Sequence, residues 1–202
     1  MIRNSKAWRI FSLLRDYRSW AGRDFAAPSP HYIKQSCLIR NGHPHAIWVE
    51  TGTYLGQTTK ILSQNSVHVY SIEPEPTLFA NAKQYFSNVK NVEIINGTSE
   101  SDFPTLLPKL KGNINFWLDG HYSAGATFKG AQDTPIVDEL NCISKNIKNF
   151  DKICVLVDDI RCFNPEQPEY STYPSIDFLV DWARNHNLNW HIEHDIFVAK
   201  NP

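Results

Sequence analysis

Acidic residues stand directly after two apolar segments of the chain, where they could bind a cation. Asp119 follows the segment 114–118, and Asp158 and Asp159 follow the segment 152–157. Short apolar runs of this kind are typical of buried strands, and parallel strands bring their carboxyl ends to one edge of a sheet. Three carboxylates buried together cost several kcal/mol unless a positive charge neutralises them. Oxygen ligands favour Mg²⁺, Mn²⁺ or Ca²⁺, so we expect a divalent cation. The alternative is that Asp158 or Asp159 caps the following turn.

A glycine turn follows an earlier apolar segment and is suited to a small ligand. The turn begins at Glu50 and contains Gly52 and Gly56. Gly52 permits a sharp bend, and Gly56 lets the next helix approach the strand closely. The spacing is neither that of a dinucleotide-binding loop nor that of a P-loop. Glu50 could accept a hydrogen bond from a ligand ammonium group or hold the loop through its own amides.

Two further strand ends carry groups that suit a nucleoside. Glu73 lies about 20 residues beyond the glycine turn, where a carboxylate can accept both ribose hydroxyls. The alternative is a surface glutamate that caps the next helix. Thr98 and Ser99 follow the next predicted strand, and their small side chains would let the backbone approach an adenine edge. The glycine turn and Glu73 together favour nucleoside binding.

These positions need an alternating series of strands and helices. Apolar strand patterns lie at 46–50, 67–72, 92–95, 114–118 and 152–157, with helical patterns between them and at 175–186. Residues 188–200 are typical of a closing hairpin. The alternation predicts an α/β fold: a Rossmann-like, doubly wound, mostly parallel sheet with an antiparallel C-terminal strand and helices on both faces.

Composition limits the classes of partner. The chain has 202 residues, which suits one domain, and a net charge of −1, which gives no reason to expect nucleic acid. The four cysteines have no metal-ligand spacing, no apolar run is long enough to span a membrane, and the N-terminus is not a convincing secretory signal. We therefore expect a cytoplasmic protein.

The N-terminal region is expected to be separate from this pattern. We assign residues 1–45 to a helical extension, acting as a lid or a dimer contact, and residues 46–202 to the ligand-binding domain. Residues 5–21 form an amphipathic helix with arginines between its apolar residues. It could dock on the domain or on a second subunit of a homodimer, or rest on a membrane surface.

The motifs ETGTYLG, SIEPEP, INGTSES, FWLDGHY and VLVDDI lie in that order within residues 46–160. In this order and spacing the chain resembles the class I S-adenosylmethionine-dependent methyltransferases. It is most similar to the metal-dependent O-methyltransferases of the catechol, caffeoyl-CoA and macrolide-sugar types. The resemblance implies S-adenosylmethionine as the cofactor, with its methionine part held by Glu50, Gly52, Thr53, Tyr54 and Gly56.

The resemblance also implies roles for the other strand ends. Glu73 would bind the ribose, Thr98 and Ser99 would face the adenine, and His121 would lie near its ring. Asp119 would border the cofactor and, with Asp158 and Asp159, hold a divalent cation, expected to be Mg²⁺. The metal would lower the pKa of the acceptor hydroxyl and orient its oxygen towards the sulfonium methyl group.

The chain departs from the catechol type at two positions. Tyr122 stands where those enzymes have a lysine base, so His121 becomes the candidate base and Asp119 its alternative. Asp159 replaces an asparagine among the metal ligands. Both differences favour the sugar-type relatives, and we expect a small-molecule acceptor such as a sugar or a polar natural product. The segment 123–130 is either a mobile loop over the acceptor or an ordinary connection, and the segment 161–173 could form the other wall of the acceptor pocket.

Two other functions are compatible with parts of the sequence. A metal-dependent phosphoesterase could use Asp119, His121, Asp158 and Asp159, but it would need further histidine ligands and leaves Glu50 and Glu73 without a role. A non-catalytic binding protein could share the fold. The acidic triad argues against that alternative.

Overall fold

The computed structural model describes residues 6–120 and 134–202, with side chains described from Ile10 onwards in these ranges. Seven α-helices lie in these ranges: α1 (Lys6–Ala21), α2 (His31–Asn41), α3 (Gln57–Gln64), α4 (Pro76–Tyr85), α5 (Ser99–Leu106), α6 (Ile136–Asn146) and α7 (Ile176–Asn185). The strands are β1 (Ile47–Thr51), β2 (His68–Glu73), β3 (Val92–Asn96), β4 (Gly112–Leu118), β5 (Phe150–Val157), β6 (Asn189–Glu193) and β7 (Ile196–Lys200).

The seven strands form one sheet in the order β3-β2-β1-β4-β5-β7-β6. The first five strands are parallel, and β7 pairs antiparallel with both β5 and β6. The predicted fold class is therefore confirmed, including the C-terminal hairpin. The strand order reverses between β1 and β4, and ligands of open α/β sheets bind at such a point.

The central strands are buried on both faces. Along β5, Ile153 and Val155 belong to one apolar cluster, whereas Cys154 and Leu156 belong to a second. Side chains alternate between the faces of a strand, so these two clusters are the two sides of the sheet. Burial on both faces explains why β5 has a continuous apolar sequence.

Helices from different parts of the chain cover the two faces. Phe103 of α5, Leu140 of α6 and Leu179 of α7 belong to the first cluster. Leu62 of α3 belongs to the second, together with Cys37 and Leu38 of α2. The sequence analysis placed the residues of α2 in the N-terminal helical extension but assigned them no helix of their own. Tertiary packing stabilises this helix, since its apolar residues are covered by the sheet.

Candidate cofactor and acceptor site

The glycine turn after β1 lies against the end of β4. Gly52 has a φ of +87°, and its amide donates a hydrogen bond of 3.0 Å to the carbonyl of Ile72. A Cβ atom at this position would lie 2.8 Å from the carbonyl oxygen of Asp119. Both the backbone conformation and the close approach therefore require glycine.

Gly56 lets the start of α3 pack closely. It has a φ of +71°, and a Cβ atom here would lie 2.8 Å from the ring of Phe86. Tyr54, between the two glycines, also adopts a positive φ of 48°, and its side chain is exposed. A left-handed conformation is uncommon for a bulky residue and costs roughly 1–3 kcal/mol. The turn is thus a strained segment held by its surroundings.

Glu73 is one of the groups that hold the turn. Its Oε2 accepts a hydrogen bond of 2.8 Å from the amide of Tyr54, and its Oε1 accepts one of 3.0 Å from the amide of Glu75. Each carboxylate oxygen has a second lone pair, so the oriented group can also accept ribose hydroxyls. The capping role that we considered for Glu73 belongs to Glu75, whose Oε2 accepts from the amide of Leu78 at 2.6 Å.

Glu50 supports the turn from inside the protein. It is fully buried, and its Oε2 accepts hydrogen bonds from the hydroxyls of Thr59 (2.5 Å) and Ser71 (2.6 Å). The hydroxyl of Thr53 lies 2.6 Å from that of Ser71 and extends this network into the turn. Burial raises the pKa of Glu50 to about 7, although the two hydroxyls partly offset it.

Thr98 and Ser99 form the start of α5. The hydroxyl of Thr98 accepts from the amide of Ser101, and the hydroxyl of Ser101 accepts in return from the amide of Thr98. This capping box turns the chain sharply after β3. Ser99 is buried beside it. Contact of these two residues with an adenine ring stays a prediction.

The structure brings the three predicted acidic residues together. Asp119, Asp158 and Asp159 each offer a carboxylate oxygen, and the three oxygens lie within 4.8 Å of one another. Neighbouring strands explain this placement, because β4 pairs with β5 and the amide of Asp158 donates to the carbonyl of Leu118 at 3.1 Å. Within the described ranges no histidine joins this cluster, although the phosphoesterase hypothesis requires histidine ligands.

Two basic residues that the sequence analysis did not identify contact the acidic cluster. The Lys34 ammonium group, from α2, lies 2.6 Å from Asp158 Oδ1 and 2.8 Å from Asp159 Oδ1. Arg161 Nη1 lies 2.7 Å from Asp159 Oδ1. The carboxylates that we took to be unneutralised are therefore partly neutralised by the protein itself.

Burial and neighbouring charges both shift the pKa values of Lys34 and Asp158. Burial lowers the pKa of Lys34, but the charges of Asp158 and Asp159 outweigh it and the pKa is raised. Burial, with the charge of Asp159, raises the pKa of Asp158 above its ordinary value. Lys34 therefore stays protonated near neutral pH, and a proton is more easily retained on Asp158 than on a solvated carboxyl group.

Arg161 joins the cluster to the C-terminal hairpin. Its guanidinium forms an ion pair with Asp195, and its amide donates to Asp195 Oδ1 at 3.0 Å. Asp195 is buried in the turn between β6 and β7. The sequence around Arg161 and Asp195 does not predict this ion pair. The two residues meet because β7 pairs antiparallel with β5.

A small cavity of about 10 Å³, with room for roughly one water molecule, borders the acidic cluster at the ends of β4 and β5. Its lining includes Gly120, Glu139, Asp158, Phe163 and Tyr173. The last two come from the segment 161–173, which we expected to border the acceptor. The cavity lies at the ends of β4 and β5, whereas Glu73 ends β2 on the other side of β1, so the cavity is separate from the predicted ribose position.

Glu139 is a second residue that the sequence analysis missed. It is 2% exposed, and its Oε1 has no hydrogen-bond partner among the described residues. Burial raises its pKa to about 7, and the nearby hydroxyls of Ser99 and Thr51 favour the charged form only in part. The sequence analysis did not identify Glu139 because it is one of several acidic residues in helical segments, and its sequence context does not distinguish it from them.

Some predicted positions cannot be placed. His121, Tyr122 and the segment 123–130 lie outside the described residues. Their predicted roles as base and acceptor-side loop stay predictions.

Several solved structures of methyltransferases share this fold. A putative methyltransferase from Streptococcus mutans, in complex with S-adenosylhomocysteine, aligns with a TM-score of 0.51 and 14% identity over 87% of this chain and 98% of its own. An S-adenosylmethionine-dependent methyltransferase from Aquifex aeolicus gives 0.53 and 15% over 82% and 87%. The N-methyltransferase NodS from Bradyrhizobium japonicum gives 0.54 and 12% over 85% and 96%.

No protein-family model matches the chain, and no curated protein matches it either. The structural neighbours share the fold at low identity, and they include a 23S rRNA methyltransferase as well as NodS. The chain therefore has the class I methyltransferase fold. Among the described residues, no helix has the length and apolar character needed to cross a membrane.

Proposed function

We propose that the protein is an S-adenosylmethionine-dependent methyltransferase. The main support is the junction of Glu73 with the glycine turn, where a buried carboxylate is oriented by the amides of Tyr54 and Glu75. This junction lies at the carboxyl ends of β1 and β2, beside the point where the strand order reverses. The methionine part of the cofactor would lie along the turn, towards Asp119.

The proposed acceptor is a hydroxyl group on a small polar molecule such as a sugar. Two carboxyl groups, Glu139 and Asp158, and two aromatic rings, Phe163 and Tyr173, border the cavity beyond Asp119. The cavity has room for about one water-sized group, such as the acceptor hydroxyl, and its carboxyl groups could accept a hydrogen bond from that hydroxyl. In the transfer, the acceptor oxygen takes the methyl group from the sulfonium, S-adenosylhomocysteine leaves, and a base receives the hydroxyl proton.

Three residues are candidates for that base. His121 and Asp119 are proposed from the sequence. Glu139 is added by the structure, because it lines the cavity and has an unpartnered carboxylate oxygen. Its pKa of about 7 suits proton transfer near neutral pH.

A divalent cation, expected to be Mg²⁺, fits the three clustered oxygens of Asp119, Asp158 and Asp159 chemically. When bound, it would act as a Lewis acid on the acceptor hydroxyl. Lys34 already contacts two of these residues, so the ion and the ammonium group would compete. We propose that cation binding requires Lys34 to withdraw.

Calorimetric titration with S-adenosylmethionine and S-adenosylhomocysteine tests the proposed cofactor. We expect micromolar binding by the wild type, loss of at least tenfold in affinity in Glu73→Ala, and little change in the matched variant Glu75→Ala. Circular dichroism confirms that each variant is folded. Absence of binding by the folded wild type, with and without Mg²⁺, would rule out the proposal.

The acceptor is sought in a second experiment. Transfer of a radiolabelled methyl group to a panel of free sugars, glycosides, catechols and amines would identify the acceptor class. We expect label in the sugar or glycoside fractions. Label only in amines would retain the methyltransferase and exclude the hydroxyl acceptor.

A further inference from the structure

Helix α1 presents an apolar face that the other described residues leave exposed. Ile10, Leu13, Leu14 and Tyr17 recur three or four residues apart, and they are 57%, 46%, 51% and 48% exposed. Phe11 beside them is 63% exposed. Side chains at this spacing lie on one side of a helix. A contiguous apolar surface of this kind indicates a binding surface.

The end of α1 is held against the body of the protein. Trp20 is buried and packs edge-on against Phe25, at 5.1 Å between ring centroids, and against His194, at 5.9 Å. His194 lies in the turn between β6 and β7. The apolar face at positions 10–17 is therefore presented on a helix that is anchored at its C-terminal end.

The charge of this segment contrasts with that of the chain as a whole. Residues 1–25 contain two acidic residues and six basic ones: Arg3, Lys6, Arg9, Arg15, Arg18 and Arg23. Six minus two gives this segment a formal charge of +4, whereas the whole chain has a net charge of −1. An amphipathic helix with cationic flanks has the pattern of a helix that lies in the interface of an anionic membrane.

We propose that α1 binds the surface of membranes that contain anionic lipids, with Ile10, Leu13, Leu14 and Tyr17 inserted among the acyl chains. A second copy of the chain is the other partner for such a face. Pairing two copies of α1 would bring two strongly basic segments together, which repel each other. An anionic lipid surface instead neutralises them. This inference is independent of the proposed enzymatic activity.

Co-sedimentation of the full chain with vesicles tests this inference. The vesicles contain either phosphatidylcholine alone or phosphatidylcholine and phosphatidylglycerol in equal amounts. We expect the wild type to bind the anionic vesicles at least about tenfold more tightly, and to be released by high salt. The double variant Ile10→Gln/Leu14→Gln should lose about tenfold or more of this binding.

Two further variants separate the contributions. Arg15→Gln/Arg18→Gln should lose the preference for anionic lipid. Val67→Gln, which replaces an apolar residue that is 58% exposed on the body of the protein, should bind as the wild type does. Thermal unfolding confirms that all of these exposed substitutions leave the fold intact.

Three results would overturn the inference. The first is that the wild type does not sediment with anionic vesicles at low salt. The second is that Val67→Gln loses as much vesicle binding as Ile10→Gln/Leu14→Gln. The third is that the wild type is a dimer that does not bind vesicles and that dissociates in Ile10→Gln/Leu14→Gln. Analytical ultracentrifugation detects the last result, which would assign the face to a contact between copies.

Discussion

The ammonium group of Lys34 lies 2.6 Å from a carboxylate oxygen of Asp158, although 124 residues separate them in the chain. Helix α2, which precedes the first strand, thereby contributes a charged group to the carboxyl end of β5. Its buried residues Cys37 and Leu38 pack on the sheet and fix the helix in this position. Part of the positive charge that neutralises the acidic cluster therefore comes from Lys34, in the N-terminal region.

Replacing Lys34 should increase the affinity of the acidic cluster for a divalent cation. In Lys34→Met, Asp158 and Asp159 lose the group that competes for their oxygens, so we expect Mn²⁺ to bind about tenfold or more tightly than to the wild type. Calorimetry or the electron paramagnetic resonance of free Mn²⁺ measures this change. Lys90→Met removes an exposed lysine and serves as the control.

The same variant should be less stable without metal. Removing one partner of a buried ion pair typically costs about 3–5 kcal/mol. Mn²⁺ should therefore raise the melting temperature of Lys34→Met more than that of the wild type. Equal Mn²⁺ affinity in the two proteins would contradict competition between Lys34 and the ion.

Two glycines with similar φ angles should respond differently to alanine. Gly52 has a φ of +87° and Gly112 one of +84°, but only at Gly52 would a Cβ atom meet backbone, at 2.8 Å from the carbonyl oxygen of Asp119. Both substitutions cost roughly 1–2 kcal/mol of backbone strain. We expect only Gly52→Ala to weaken S-adenosylhomocysteine binding, by at least tenfold, because it displaces the turn from β4.

Calorimetry on both variants checks this expectation, with thermal unfolding as the measure of strain. Gly112→Ala shows how much of any loss comes from instability alone. Unchanged cofactor affinity in a folded Gly52→Ala would show that the turn does not contact the cofactor.

Glu139 should make stability depend on pH. Its pKa is about 7 in the folded protein and near 4.5 when unfolded, so the folded state retains the proton between these values. The folding free energy should therefore become less favourable as the pH rises from about 4.5 to 7, by up to roughly 3 kcal/mol. Glu139→Gln remains neutral and should flatten this part of the curve.

Urea unfolding of both proteins at pH 5 and pH 8 measures the difference. The control is Asp138→Asn, which changes the exposed neighbour on the same helix and should keep the wild-type dependence. Parallel curves for the wild type and Glu139→Gln would show that Glu139 is ionised in the folded protein. In that case its role as a base poised near neutral pH would also be withdrawn.

The sequence was sufficient for the architecture of the sheet and for part of the site. Alternating strand and helix patterns identified β1 to β7, because a strand buried on both faces, such as β5, must be apolar throughout. The same reasoning placed Asp119, Asp158 and Asp159 together. Parallel neighbours end at one edge, and the residue that follows each strand is known once the strand is known.

Only the tertiary structure showed which groups meet these residues. Lys34, Arg161 and Asp195 come from α2, from the segment after β5 and from the β6–β7 turn, and no local pattern relates them. Glu139 is an ordinary helical residue until α6 packs beside β1 and β4. Periodicity records which side of an element is buried, whereas the partners of a buried charge depend on how distant elements pack.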